Sequence, residues 1–455
     1  MHYQLLNSGR EKFNAPTLFV SADLVVLAAG TLGSTEILLR SKSKGLATSD
    51  HVGRRFTGNG DVLGFGYNTD RIIEGIGFAA QPPQGRAPVG PCISGLIDIR
   101  RQPNLDDGIV VEEGSIPGAL ANVLPAAFAA SAKMSDAPAD SLAANLERKA
   151  REVDSCIRGA YHGAVRRTQT YLVMTHDDTN GRMVLDEHDQ VRINWPGVGD
   201  QPIFKQAGRR LSEATRALGG TYVPNPLWSD LATHPLMSVH PLGGCVMAED
   251  AEHGVVNHKG QVFAGQAGRT VHDSLYVCDG AVVPRSLGVN PLLTISALAE
   301  RCVALLIADR GWNVSYRLPS APHGASPVAP LGLQFTETMR GYASTRVTDD
   351  YQRGAEQGRI EGASCEFTLT VISEDLERML SDPTHQGTMV GTVTAPALSP
   401  TPMTVSQGVF QLFAEDPEHV GTRRMNYRMN LSAEDGRQYF FDGFKSVHHD
   451  RGIDL

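Results

Sequence analysis

Short apolar runs alternate with glycine-bearing turns and helically spaced stretches over most of this chain. Residues 23–29, Asp23 followed by six apolar residues, lead through Gly30-Thr31-Leu32-Gly33-Ser34 into 35–40. An unbroken run predicts a strand buried on both faces, and the glycines predict a turn into a helix. Residues 171–174 and 182–195 predict strands joined through Asp178-Thr179-Asn180-Gly181, whose Asn-Gly suits a hairpin turn. Helical spacing covers 140–165 and 204–218, the second stopped by Gly219-Gly220. Residues 275–278 predict another buried strand and 279–288 a loop. A long helix then covers 291–309, with Asn290 as N-cap, Pro291 at the first position and Gly311 at its end. Leu292, Ile295, Leu298, Ala299, Cys302, Leu305 and Leu306 recur along that helix and predict one buried face.

Beyond a Pro-, Ser- and Ala-rich stretch at 311–334, polar and apolar residues alternate in 367–371, 389–393, 405–413, 425–431 and 439–444. Asp435-Gly436 marks the turn between the last two. The expected organisation is an α/β domain in two segments, 1–60 and 236–312, with an inserted α+β domain at 61–235. A linker at 313–332 and a β-rich domain at 333–455 complete it.

Composition narrows the function. At 455 residues the chain is long enough for two or three domains with their own cores. A net charge of −9 argues against a nucleic-acid partner, which needs a basic face. Six scattered cysteines (92, 156, 245, 278, 302, 365) without a paired spacing suggest free thiols in a reducing compartment. With no basic-then-apolar leader at the N-terminus, a cytoplasmic location is expected. The uncharged stretch 115–132 carries Pro117, Gly118, Asn122 and Pro125, so it predicts an apolar wall or lid rather than a membrane span. Transient contact with a membrane surface stays compatible with that stretch, and the oligomeric state is not legible.

The candidate chemistry gathers around Ser238-Val-His-Pro-Leu-Gly-Gly-Cys245 and Gly288-Val-Asn-Pro291. An imidazole on a rigid Pro/Gly turn can remove a proton from an alcohol, an effect worth roughly 10²–10⁴-fold in rate. Asn290 serves equally as a helix cap or as an amide aimed at the reacting oxygen. The helix start behind it favours negative charge, as on a reduced flavin. Asp279-Gly280 ends a strand, where a nucleotide is often met. Glu112 and Glu113 follow the apolar residues 109–111, and a carboxylate walled by apolar surface can shuttle protons. Gly75-Ile-Gly-Phe-Ala-Ala80 has the letters of a dinucleotide motif, but Gln81-Pro82-Pro83 stands where a helix should start. His253, His258 and His448-His449-Asp450 lie in polar loops without supporting ligands, so no metal is expected. The absence of a Gly-x-Ser-x-Gly elbow argues against a hydrolase.

Taken together, Val26-Leu-Ala-Ala-Gly-Thr-Leu-Gly-Ser-Thr-Glu36, His240-Pro-Leu-Gly-Gly-Cys245, Asp279-Gly-Ala-Val-Val-Pro284 and Gly288-Val-Asn-Pro-Leu-Leu-Thr-Ile-Ser-Ala-Leu-Ala-Glu-Arg301 resemble the glucose–methanol–choline (GMC) oxidoreductases. The likeness is to their sterol-oxidising branch and spans roughly residues 20–310. It implies an FAD enzyme that oxidises a hydrophobic sterol alcohol, with His240 and Asn290 as catalytic residues. Glu112 or Glu113 would match the carboxylate that moves the steroid double bond. Gly30, Gly33, Ser34, Gly53, Asn59, Gly60, Asp279, Gly280, Asn290 and Pro291 would line the FAD. The two α/β segments become an incomplete FAD-binding, Rossmann-like domain, and 61–235 the substrate domain. The glycine motif that opens such domains is not found before Asp23, so the chain is expected to lack that portion. The alternative is a non-catalytic lipid-binding remnant that needs a partner or the missing segment.

Overall fold

The computed structural model describes residues 1–77, 93–132, 142–225, 237–315, 331–347, 349–415 and 422–447. Cys92, half of the Gly75–Ala80 look-alike, the 448–450 histidines and most of the Pro-rich linker lie outside the described residues. The chain divides into two compact units, Leu24–Ser315 and Met1–Asp23 with Tyr316–Leu455. The first α/β segment therefore begins at Leu24 rather than at residue 1.

Met1–Asp23 holds the antiparallel pair β1 (His2–Tyr3) and β2 (Leu18–Phe19). Its Arg10 is buried, and the guanidinium donates to the Thr368 carbonyl (2.6 Å), the Pro16 carbonyl (3.1 Å) and the Thr392 hydroxyl (2.9 Å). Phe19 N–H donates to the Thr404 hydroxyl at 3.0 Å. Directed bonds from a buried cation are the strong kind, and the two to Thr368 and Thr392, with the Phe19–Thr404 bond, fix these residues to the C-terminal sheet.

In the unit Leu24–Ser315, β3 (Val25–Leu27) leads into α1 (Gly30–Ser43). Of β3 only Leu27 is buried, and Val26 is exposed, so the strand is not covered on both faces. Helix α1 starts at Gly30, inside the run expected to be a turn. A five-stranded antiparallel sheet follows, built from β4 (Val62–Tyr67), β5 (Leu96–Asp98), β6 (Val110–Gly114) and β7 (Gln169–Met174) and completed by a later strand. Between β6 and β7 lie α2 (Leu124–Ala132) and α3 (Leu142–Arg158). The expected hairpin through Asn180-Gly181 does not form, because β7 pairs inside the large sheet. Instead β8 (Arg182–Leu185) pairs with β9 (Val191–Asn194) around a turn where Asp189 takes the positive φ. Helix α4 (Pro202–Ala217) and the edge strand β10 (Thr221–Pro224) complete the sheet, in the order β10-β4-β7-β6-β5.

Strand alternation assigns the faces of this sheet. Val62, Val111, Tyr171 and Val173 pack against Phe204, Ala207 and Leu211 of α4. Leu63, Phe65, Tyr67 and Val223 take the other face, against Leu124 and Phe128 of α2. The Phe128 ring sits 4.9 Å from Phe65 and 5.4 Å from Tyr67. The apolar stretch 115–132 is thus a wall of this domain, as expected.

The chain then returns to β3. Strands β11 (Gln261–Phe263) and β12 (Val271–Val277) form a three-stranded sheet with it, and β12 runs parallel to β3. Leu27, Leu38, Cys245, Val256, Val262 and Val277 are its buried core. Helix α5 (Leu292–Arg310) ends at Gly311, whose φ of 64° closes it as expected. Its start differs by one residue, because Pro291 occupies the cap and frees the Asn290 side chain. Only Cys302 and Leu306 of its apolar row are buried, and Leu292 and Leu293 stand in solvent.

The C-terminal domain is a six-stranded antiparallel meander of β13 (Leu333–Tyr342), β14 (Ser364–Ser373), β15 (Gln386–Thr394), β16 (Met403–Glu415), β17 (Arg423–Ser432) and β18 (Gln438–Val447). Helix α6 (Tyr351–Glu361) joins the first two strands, and α7 (Leu376–Ser381) the next two. All five strands legible in the alternation are present and run longer than expected. The sequence reading lacked β13 and both helices.

Candidate active site

The 57–61 loop, Thr57-Gly58-Asn59-Gly60-Asp61, organises the site by gripping two distant segments. On one side Thr57 exchanges backbone hydrogen bonds with Leu242, at 3.0 and 2.9 Å. Gly53 N–H donates to the Gly244 carbonyl at 2.7 Å. The His240 turn is therefore laid against residues 53–57. No side chain fits at Gly243, where a Cβ would run into the Arg55 carbonyl, or at Gly244, where it would strike Thr35. Both take φ above 80°, so glycine is required on both counts.

Asp61 ends the loop and is 2% exposed. It accepts from Val239 N–H at 2.9 Å and from both the Ser238 hydroxyl (3.2 Å) and the His240 ring. Nδ1 of His240 lies 3.1 Å from each Asp61 carboxylate oxygen. A carboxylate oxygen accepts, so in the neutral imidazole Nδ1 carries the proton and Nε2 the lone pair. The imidazole is thereby held as the tautomer a base requires. Sequence reasoning did not find Asp61. Its signal was an acid closing a Gly-Asn-Gly turn immediately before an apolar strand.

On the other side Asn59, at φ 57°, reaches across to the start of α5. Its Nδ2 donates to the Val289 carbonyl at 2.8 Å, and its Oδ1 accepts from Leu287 N–H (2.8 Å) and Gly288 N–H (3.2 Å). Asn290 follows directly, and its Nδ2 donates to Glu112 Oε2 at 3.1 Å. The pleat of β6 separates the two candidate carboxylates. Glu112 pairs with Leu172 and shares the face of Leu63, whereas Glu113 pairs with Tyr171 on the opposite face. Glu112 is 3% exposed and bonds Asn290; Glu113 bonds the Ser94 hydroxyl at the surface. One loop therefore positions both the imidazole and the carboxamide.

A third layer supports the loop. Asp177 accepts from the Thr57 hydroxyl (2.6 Å) and Gly60 N–H (2.8 Å). Burial raises the pKa of its carboxyl, against those hydrogen bonds. Next to it, His176 fills the space a Cβ at Gly288 would need, and burial lowers its pKa.

The remaining residues expected to touch a cofactor divide into two kinds. Gly53, Gly60 and Gly280 are places where protein atoms leave no room: against Met183, Thr175 and Thr31, respectively. Gly33 packs its missing side chain toward Ala29. Ser34 donates to Asp279, whose other oxygen accepts from Ala281 N–H at 2.9 Å, so the two hold the strand-end turn. Gly30 differs, with φ 75° and open space where a Cβ would stand. Neither α1, behind Ala29, nor α5, behind Pro291, has a side-chain cap on its first N–H groups. No cluster of His, Cys, Asp and Glu suited to a metal occurs among the described residues. Among them, too, no helix is long and apolar enough to cross a membrane.

Comparison with known proteins gives this site its setting. Residues 181–299 match the family model described as GMC oxidoreductase. A cholesterol oxidase of Mycobacterium tuberculosis is 36% identical over 149 residues, 30% of this chain and 23% of that protein. A long-chain-alcohol oxidase of Arabidopsis thaliana is 29% identical over 109 residues, covering 24% of this chain and 13% of the relative. Among solved structures, pyridoxine 4-oxidase from Mesorbium loti aligns with a TM-score of 0.37 at 18% identity, over 64% of this chain and 52% of that one. The matched stretches amount to a quarter or less of the length of the curated relatives.

Proposed function

We propose that this chain, a GMC oxidoreductase over residues 181–299, serves an FAD-dependent oxidation of a bulky hydrophobic alcohol, with a 3-hydroxysteroid as first candidate. The observation that carries the reading is the 57–61 loop, which holds an Asp61-oriented His240 on one side and Asn290 with Glu112 on the other.

His240 Nε2 accepts the proton of the substrate hydroxyl, and Asp61 stabilises the imidazolium that results. Asn290 spends one N–H on Glu112, which leaves its other N–H and its carbonyl to orient the reacting oxygen. Glu112, buried on an apolar sheet face, carries a proton between carbons of a steroid in this reading. Glu113 faces away and has no part in it. The wall of Leu124 and Phe128 beside that face suits a lipid.

The residues present fit FAD. Its phosphates suit the uncapped start of α1, where Gly30 leaves the backbone open to close approach. The uncapped start of α5, with Asn290 and Pro291, suits the ring end. FAD supplies the hydride acceptor when bound. Asn59, Gly53, Gly60 and Gly280 shape the loops behind it, while Ser34 and Asp279 fix the turn between α1 and β12.

The test is to purify the chain, titrate it with FAD and follow cholesterol and hexadecanol oxidation with oxygen and with a dye acceptor. Retained flavin that is bleached by either alcohol is the expected result. A folded chain that retains sterol but takes up no flavin would replace this reading with the binding-only one.

A further inference from the structure

The C-terminal domain contains a cavity of about 810 Å³ that no part of the proposed oxidation uses. Protein cores pack as densely as organic crystals and tolerate few voids larger than a water molecule. A space of this size falls in the range of dedicated ligand pockets, about 300–1,000 Å³. It opens where the meander curls around helix α6. Gly354 and Gly358 let that helix approach β13 closely, since a Cβ at Gly358 would stand 2.8 Å from the Ala343 backbone. Phe367, Leu398, Leu431 and Phe441 line the interior, and Tyr351 stands at the rim with its ring 5.3 Å from Phe444.

The polar groups of the lining specify the guest. Three charged residues border the cavity, and each is already engaged. Arg340 pairs with Glu366 (2.6 Å) and Asp442 with Arg428 (3.3 Å), while Asp350 caps α6 at Arg353 N–H (2.9 Å). An anionic guest would therefore meet no unpaired cation there. Of the four phenols in the lining, two have committed protons. Tyr427, 1% exposed, donates its proton to Glu337 (2.8 Å), and Tyr439 donates to the Leu398 carbonyl (2.9 Å). Glu337 lies in phase with inward-packing Phe335 and Met339, so a carboxylate has been placed on the inner face of β13 to take that proton. With their protons committed, both phenol oxygens are left as acceptors. A guest with one donor hydroxyl on an apolar body satisfies one of them. A ketone or an ester of the same shape has no donor for either oxygen.

We propose that the C-terminal domain binds one uncharged hydrophobic alcohol in this cavity, with its hydroxyl donated to the Tyr427 oxygen. The inference stands on the cavity alone and holds whether or not the chain oxidises anything. Its chemistry is that of a holding site, with no bond made or broken.

The experiment is equilibrium binding of radiolabelled cholesterol, delivered from cyclodextrin, to the full chain, with cholest-4-en-3-one and hexadecanoate as competitors. Ala397→Trp and Ala355→Trp each fill the mouth at an exposed alanine and so spare the core. Loss of one equivalent of bound cholesterol in both variants, with any turnover unchanged, is the expected result. Tyr427→Phe should weaken cholesterol by about three- to tenfold, the value of one hydrogen bond, and abolish its preference over the ketone. A thermal melt of each variant establishes that it is folded. Cholesterol binding that is undiminished in both folded mouth variants overturns the site. Equal competition by the ketone or by hexadecanoate overturns the hydroxyl assignment.

Discussion

In the unit Leu24–Ser315 the decisive hydrogen bonds join residues far apart in the chain: 179 positions separate Asp61 from His240, and 230 separate Asn59 from Val289. In the C-terminal sheet every strand pairs with its sequence neighbour, and the core is built mainly from alternating strand residues, with register shifts on both sides of β16. The first arrangement specifies polar geometry through long loops closed at one point. The second encloses apolar volume with local pairings, which are quick to form and indifferent to distant sequence. Chemistry that needs a tautomer and an aimed amide sits in the first; a cavity that needs only a fitted wall sits in the second.

The sharpest break of that contrast is His240→Ala. In FAD-loaded protein it should lower kcat by roughly 10²–10⁴-fold while KM changes little. Asp61→Asn should follow, by up to about 10⁴-fold, because the amide can hold either tautomer. A parallel loss of substrate affinity in both would contradict their roles. Leu369→Ala, at a fully buried position of β14, should cost about 2–5 kcal/mol. In calorimetry that loss belongs to the transition of the C-terminal unit, with oxidation unaffected; a shared drop would show the two units to be one cooperative body. Asn59→Ala should cost about 1–3 kcal/mol, since it strands the Leu287 and Gly288 N–H groups and the Val289 carbonyl. Turnover should fall with it through the displaced Asn290.

The smallest expected effect is a pH slope. Burial holds the folded pKa of His176 below its ordinary 6.5, so the unfolded chain takes up the proton first as pH falls. The contribution of His176 is therefore complete above the ordinary histidine range and is lost as pH falls toward the depressed value. Asp177, with a raised folded pKa, contributes in the opposite sense: its share is present in acid and is lost as pH rises through that value. His176→Gln should flatten the decline in melting temperature between about pH 7 and about pH 5. An unchanged decline would assign it to other groups.

How much of this was legible follows from the same contrast. Alternation located five of the six C-terminal strands, because period two survives wherever one face is buried. It passed over β13, whose residues are only partly covered. Motif order identified His240 and Asn290, but spacing could not separate Glu112 from Glu113. That choice depends on strand pairing, which places Glu112 opposite Leu172. Asp61 was missed because its importance comes from a partner 179 residues away. The Asn180-Gly181 hairpin misled because local turn chemistry was outweighed by pairing within the five-stranded sheet. Leu292 fitted the helical period yet faces solvent, since a period states which residues share a face and not what covers it.

Arg10 carries a mechanical consequence. Because residues 1–23 are bonded into the C-terminal sheet, the polypeptide leaves that unit after Asp23 and re-enters it after Ser315. The intervening unit is leashed at both its ends. A protease cut anywhere between 316 and 330 would give two bands on a denaturing gel but one particle in solution, the fragments kept together by the buried Arg10 guanidinium on Thr368 and Thr392 and by Phe19 N–H on Thr404.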